Sequence, residues 1–292
     1  QLALGHCYED GYGVEQDCTE AVKWYRRSAE QGNMAAQLAL GRCYFSGMGV
    51  ELDDDEAVKW FRKSAEQGNA VAQLFLGRFY YIRGDDDKAA YWYRRAAEQG
   101  NVYAQYNLGR CYEHGRGVEQ DYAKAASWYE KSAEQGDARA QYNLGHCYYE
   151  GRGVEQDYFE ATEWFRKSAE QGNANAQYAL GNCYSQGRGV EQDVDEAAKW
   201  YEKSAKGYRY SAERGDADAQ LYLGRCYYEG RGVGRDVDEA VEWYRKSAEQ
   251  GNADAQFALG NCYFDGRGVK QDYTEALYWY EKSAKKCPKT TD

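Results

Sequence analysis

The chain is short of the residues that bend a backbone, bind metals or punctuate a core. It has one proline in 292 residues, two methionines and three histidines. With so little proline, a helix here runs on until something other than proline stops it. No apolar run approaches the ~20 residues that a membrane helix needs, and no secretory leader is visible. Positive charge is also in deficit. Lys and Arg number 37 against 48 Asp and Glu, a formal net charge of −11, which argues against nucleic acid or an anionic membrane as a general partner. The alternation of apolar and polar residues that marks strands is missing too.

Repetition is what the chain has in quantity. Tryptophan stands at 24, 60, 92, 128, 164, 200, 243 and 279, in step with glycine at 5, 41, 77, 109, 145, 181, 224 and 260. The spacing is 36 residues except for one interval of 32 and one of 43. A fixed period in this range is the mark of a stacked-repeat architecture. Eight units are expected, over 1–32, 33–68, 69–100, 101–136, 137–172, 173–215, 216–251 and 252–286, with a tail at 287–292.

The fourth unit serves as the specimen. At about 100° per residue, Ala104, Gln105, Leu108, Gly109, Cys111 and Tyr112 fall on one arc of a helix. Tyr103, Tyr106, Asn107, Arg110 and Glu113 fall on the other. Gly115 stops this helix and Val118 is the one loop residue expected to tuck inward. Asp121 caps a second helix, whose Ala125, Trp128, Tyr129 and Ser132 face the core. In six units a Glu follows the capping Asp by three residues, as in Asp53 and Glu56, which resembles a capping box. Gly136 ends the second helix and Asp137 caps the next unit. One hairpin cannot bury both of its apolar arcs, so neighbours must stack. The expectation is an all-α solenoid, a single elongated domain over 1–292.

The pattern Ala-x-x-x-Leu-Gly-x-x-Tyr-x-x-Gly-x-Gly-Val-x-x-Asp-x-x-x-Ala-x-x-Trp-Tyr-x-x-(Ser/Ala)-Ala-x-x-Gly resembles the Sel-one-like repeat (SLR), a relative of the tetratricopeptide repeat. Ala104, Leu108, Gly109, Tyr112, Gly115, Gly117, Val118, Asp121, Ala125, Trp128, Tyr129, Ala133 and Gly136 carry it, and the match recurs along the whole chain. The resemblance implies a right-handed superhelix whose first helices line a concave face, and adaptor or scaffold work without a cofactor.

Seven of the nine cysteines form a ladder, Cys7, Cys43, Cys111, Cys147, Cys183, Cys226 and Cys262, with Phe79 in the third place. Successive rungs sit a helix-packing distance or more apart, beyond ordinary disulfide reach. They read as small apolar core residues. A secreted branch of the family pairs cysteines within its hairpins, whereas Ala133 and Ala140 stand where that pair belongs here. Reduced thiols favour the cytoplasm. Cys18 and Cys287 lie off the ladder and read as exposed. The opening at Gln1, inside the expected first helix, suggests a fragment, which leaves a leader open.

Two irregularities stand out. The third unit, at Phe79-Tyr80-Tyr81-Ile82-Arg83-Gly84-Asp85, lacks the Gly-x-Gly-Val loop, read as a trimmed connection or a local partner contact. In the sixth, Ser-Ala at 204–205 recurs at 211–212, as though a heptad had been duplicated. Seven residues drift only ~20° from register, so the second helix is expected to extend by two turns, or else Gly207 ends it and the insert bulges.

Chemistry finds little to use. His6 and His146 occupy equivalent rungs four repeats apart, too distant to act together. No phosphate loop, serine elbow or Cys/His metal spacing appears, so neither an enzyme nor a metal site is indicated. Asp53-Asp54-Asp55 and Asp85-Asp86-Asp87 read as helix starts. The outer arc of the first helices is better provided. Tyr106, Asn107, Arg110, Tyr142, Asn143, His146, Tyr178, Asn182, Tyr222 and Arg225 form rungs of aromatic faces, amides and cations. Asn amides can pair with an extended backbone, and Arg forks grip carboxylates. The first reading is a scaffold that takes a protein or peptide segment in this groove. The alternatives are a self-assembler stacking end to end, and an accessory subunit or carbohydrate-binding protein.

Overall fold

The computed structural model describes residues 1–285; Cys287 and the tail lie outside the described residues. It shows sixteen α-helices among them: α1 (Leu2–Asp10), α2 (Cys18–Glu30), α3 (Met34–Ser46), α4 (Asp54–Glu66), α5 (Ala70–Ile82), α6 (Asp86–Glu98), α7 (Val102–His114), α8 (Tyr122–Glu134), α9 (Ala138–Glu150), α10 (Tyr158–Glu170), α11 (Ala174–Gln186), α12 (Val194–Ala212), α13 (Ala217–Glu229), α14 (Val237–Glu249), α15 (Ala253–Asp265) and α16 (Tyr273–Lys285). The chain divides into two compact units. One holds residues 1–147 and 151–155, and the other holds 148–150 and the residues from 156 onward. Within each unit the helices pair as hairpins, and each hairpin packs on the next in chain order.

Every helix after α1 begins on a side-chain cap. Asp121 accepts from the Lys124 amide and Asn101 from the Ala104 amide, satisfying donors that the helix itself leaves orphaned. The capping box is only half formed. The reciprocal donor, the backbone N–H of the capping Asp, already binds a carbonyl of the preceding helix, as in Asp53 to Tyr44 and Asp193 to Tyr184. The Glu is thereby freed and turns along its own helix instead. Glu56 holds Lys59 and the Trp60 indole N–H, and Glu196 holds Lys199.

Two glycine rungs allow the close contacts. In α7, Gly109 lies against the Tyr129 ring so tightly that a Cβ would stand 2.7 Å from it. The same contact recurs at Gly41 with Phe61, Gly181 with Tyr201 and Gly260 with Tyr280. The second glycine of each loop works between hairpins. Gly117, at φ 63°, sits on the Asp86 carbonyl at the start of α6, with no space there for a side chain. Gly153 sits likewise on Tyr122, and Gly189 on Tyr158.

A buried glutamine spine links the repeats, and it carries no mark in the sequence beyond recurrence. Gln105 is 5% exposed and donates to the Ala97 carbonyl at the end of the previous hairpin, while its Oε1 accepts from Gln135. Gln37, Gln73 and Gln220 repeat the arrangement with Gln67, Gln99 and Gln250. Buried amides of this kind persist because both ends are bonded.

The ladder cysteines Cys43, Cys111, Cys147, Cys183, Cys226 and Cys262 are buried, and Cys7 and Cys18 are half-buried. Burial pushes the thiols of Cys43 and Cys226 up to about 12. No described helix is long and apolar enough to cross a membrane.

The heptad insert extends the helix. α12 runs 19 residues, through Gly207, where the other second helices have 13. Its first half keeps register with its own hairpin: Ser204 donates to the Ala174 carbonyl, as Ser132 does to Val102. Its second half serves the next hairpin seven residues late. In five hairpins an Arg two places after the Trp binds a Tyr of the following hairpin, as Arg94 binds Tyr112 and Arg166 binds Tyr184, while α8 has Glu130 there. In α12 that place holds Glu202, and Arg209, seven residues on, binds Tyr227 instead. Gly232 correspondingly sits on Tyr201, not on Val194.

Candidate functional site

All ten residues singled out on the first helices are half-buried. They project from α7, α9, α11 and α13. The first unit brings together Tyr106, Asn107, Arg110, Tyr142, Asn143 and His146; the second holds Tyr178, Asn182, Tyr222 and Arg225.

Several of these groups already have work inside the fold. The Arg139 guanidinium lies 4.4 Å from the Tyr106 ring centre. Asn107 donates to the Tyr103 carbonyl one turn back, and Asn143 lies near the Tyr129 hydroxyl, which donates to Glu113. The His146 ring meets Tyr142 edge-on at 4.8 Å, with Nε2 3.0 Å from the Tyr hydroxyl. Tyr222 stacks on Tyr208 of the extended α12, 5.1 Å away, and Arg225 covers its ring. Tyr178 and Asn182 are held by Arg231, at 2.7 and 2.9 Å, and Tyr178 also donates to Glu229.

That last network stands beside the insert, where the usual partner of the loop Arg is absent. In three other loops the Arg binds a Tyr near the end of the previous first helix: Arg116 binds Tyr81, Arg188 binds Tyr149 and Arg267 binds Tyr228. The place equivalent to Tyr81 in α11 is Ser185, and Arg231 turns to Tyr178 and Asn182. The amide rung is therefore partly a set of inter-helix ties.

Arg110 and Arg78 differ from these. Arg110 is half-buried, Arg78 is exposed, and neither side chain has an ion pair or hydrogen bond among the described residues. Both line a cleft of about 570 Å³, with Tyr81, Tyr103, Tyr106 and Arg139 around them. Burial presses on Arg110 against its charge, and the surrounding tyrosines, Tyr106 first, outweigh it and hold the guanidinium charged. His114, beside the cleft, is pulled below the usual imidazole range by burial, against the opposing pull of Glu113. A neighbouring apolar pocket of about 130 Å³ is lined by Phe45, Val58, Phe61, Phe75, Phe79 and Ile82, with Arg78 and Arg83 at its edge. Reading the rungs one by one singled out Arg110 but not this pocket, although Phe79 and Ile82 marked the place as unusually apolar.

Among the described residues no three His, Cys, Asp or Glu side chains are grouped to hold a metal ion. What the arrangement offers is contact area, cationic forks and one apolar recess.

Comparison with known proteins fits this picture. The Sel1 repeat model matches residues 1–33, 35–69, 70–101, 102–137, 138–173, 174–207, 217–252 and 253–286. The gap at 208–216 falls on the insert. A protective antigen of uropathogenic Escherichia coli strains displaying an SLR fold is 36% identical, over 97% of this chain and 68% of its own, with a TM-score of 0.67. A Sel1 repeat protein from Oxalobacter formigenes is also 36% identical, over 99% of this chain and 82% of its own, with a TM-score of 0.59. No curated protein matches the chain. Eight copies of one hairpin, the capping and glycine rungs that build them, and these likenesses place the chain in the Sel1 repeat family.

Proposed function

We propose that the protein is a non-enzymatic interaction scaffold that takes a peptide or protein segment along the outer arcs of its first helices. Sel1 repeat proteins are commonly protein-interaction scaffolds. The observation that supports this role here is the pair of unpartnered guanidiniums, Arg78 and Arg110, set among tyrosines in a chain of net charge −11. A half-buried charge without a partner, as at Arg110, is costly to hold, and an incoming carboxylate relieves that cost with charge-assisted hydrogen bonds, to which the exposed Arg78 adds a second fork. Tyr142 and His146 extend the surface within the first unit, and Tyr222 and Arg225 present a similar pair within the second. Rigid aromatic side chains of this kind give contact area at low entropic cost. Stacking on a sugar fits less well, since cations already cover the Tyr106 and Tyr222 rings.

The test is capture of native partners by the full chain and by the variant Tyr142→Ala with Arg225→Glu, with crosslinking mass spectrometry to locate the contacts. The variant should hold its helicity by circular dichroism and lose most of the captured protein. Equal capture by both forms counts against the first-helix surface.

A further inference from the structure

The pocket beside Arg78 is the space that the trimmed loop of the third repeat leaves behind. In a regular pair of repeats the second loop glycine sits on the first turn of the preceding hairpin's second helix: Gly49 on Cys18, Gly117 on Asp86, Gly153 on Tyr122, Gly189 on Tyr158 and Gly268 on Val237. The corresponding place on α4 is Asp54, and no loop reaches it, because residues 83–85 replace the Gly-x-Gly-Val connection.

The consequence shows one turn further along. Val22, Ala90, Ala126, Thr162 and Val241 occupy equivalent positions and are at most 4% exposed. Gly189 packs on Thr162 and Gly268 on Val241. Val58, the equivalent residue of α4, is only partly covered and lines the pocket with Asp54; Ala198 and Leu277, at the same place in α12 and α16, are exposed, the first where the loop glycine has moved on to Tyr201. The walls are otherwise aromatic. Phe61 and Phe75 stack 4.8 Å apart, and Phe45 meets both at 6.5 and 6.1 Å. Phe45 stands where Tyr81, Tyr149 and Tyr228 each receive a loop Arg from the next repeat. Without that loop there is no Arg to receive, and the residue is apolar and 51% exposed. Ile82 is 80% exposed at the rim. An apolar cavity of about 150 Å³ is known to take one benzene ring, so a recess of about 130 Å³ suits one large apolar side chain. Arg78 and Ile82 line both this pocket and the cleft that holds Arg110, so the two adjoin.

We propose that the vacated loop space is an anchoring site for an acidic peptide segment of a partner protein. One large apolar side chain enters the Phe-lined pocket, and carboxylates within a few residues of it pair with Arg78 and Arg110. Extended backbone takes the place that a loop of the array itself takes in the regular repeats. This rests on the scaffold reading and names where its ligand is gripped and what that ligand must carry. Two cationic forks without internal partners, in an otherwise acidic chain, select for carboxylates by charge.

The experiment pans a phage-displayed library of random twelve-residue peptides on the full chain and measures labelled copies of the enriched peptides by fluorescence anisotropy. Enriched peptides should place Phe, Trp, Leu or Ile within three residues of Asp or Glu. Arg78→Glu should weaken them about tenfold or more, as loss of a charge-assisted bond does. A second variant replaces Arg83 and Gly84 with the six residues found at 115–120, restoring the loop. It should keep the helical circular dichroism and abolish binding. Enriched peptides without acidic residues, or binding that survives loop restoration, would overturn the anchoring site. If such surviving binding is lost in Tyr142→Ala with Arg225→Glu, the first-helix surface stands without the anchor. If it is indifferent to both variants, or if nothing is enriched, both readings fail. Concentration-dependent mass in light scattering that disappears on loop restoration overturns the peptide in favour of a second copy of the chain.

Discussion

The third and sixth repeats depart from the same template in opposite directions, one four residues short and the other seven long, and the structure absorbs them differently. The seven-residue insert lies inside a helix, where it amounts to nearly two turns. α12 therefore keeps its buried stripe, and its bond to the next hairpin's Tyr and its seat for the loop glycine move seven residues along. Arg209 replaces Glu202, and Tyr201 replaces Val194 under the loop glycine. The four-residue deletion lies in a connection, where no period can compensate. α5 and α6 still pair and Asp85 still caps, but the cover over α4 is gone. An insertion matched to the helical period leaves packing intact, and a deletion in a loop leaves a hole.

The sharpest way to break that contrast is to spoil the match. Removing Lys206 alone should rotate the second half of α12 by ~100° and strip Tyr208, Arg209 and Ala212 from their partners. A loss on the order of 3–5 kcal/mol is expected, read as the fall in the urea or thermal midpoint. Removing the whole heptad Glu202–Tyr208 should cost far less, since it joins Tyr201 to Arg209 and rebuilds the regular sequence. Equal losses in the two deletions would refute the register argument.

Next in size is a pair of glycines at similar φ. Gly189→Ala meets the Tyr158 backbone, whereas Gly84→Ala in the trimmed connection meets nothing within 4 Å. The first should cost about 3 kcal/mol or more and the second only the ~1 kcal/mol of left-handed strain. Smaller again is the comparison of two valines. Val241→Ala should cost about 2 kcal/mol because its loop covers it, and Val58→Ala about half of that, both read from denaturant melts.

The smallest expected effect is in acid. Asp85 and Asp121 are held below their ordinary value of 3.8, chiefly by the side chains of Lys88 and Lys124 and then by the capped backbone amides. A carboxyl with a lowered folded pKa contributes stability above its unfolded value, lost as pH falls through the folded one. The thermal midpoint should thus be flat above about pH 4 and decline below it. Asp85→Asn, which keeps a capping oxygen, should flatten part of that decline.

Much of this was legible in order along the chain. The inward arc of Ala104, Leu108, Gly109 and Cys111, the caps at Asp121 and Asp137, and the stacking of hairpins all follow from a 3.6-residue period and from glycine and Asp chemistry. The extension of α12 was readable from seven lying close to two turns. The groove was legible only as a list of faces. Periodicity assigns a residue to an arc and says nothing about which neighbour it meets, so it could not show that Asn182 and Tyr178 are taken by Arg231. The half-formed capping box failed for the same reason, because its missing donor is spent on a different helix.

By itself, then, the sequence determined the helices, their ends and the fact that hairpins must stack, because these depend on interactions within a few turns. Only tertiary structure decided which polar groups remain unpartnered and where a deleted loop leaves Phe45 exposed and Val58 only partly covered. Such properties depend on side chains brought together from different repeats, and a missing contact leaves no mark at the position that loses it.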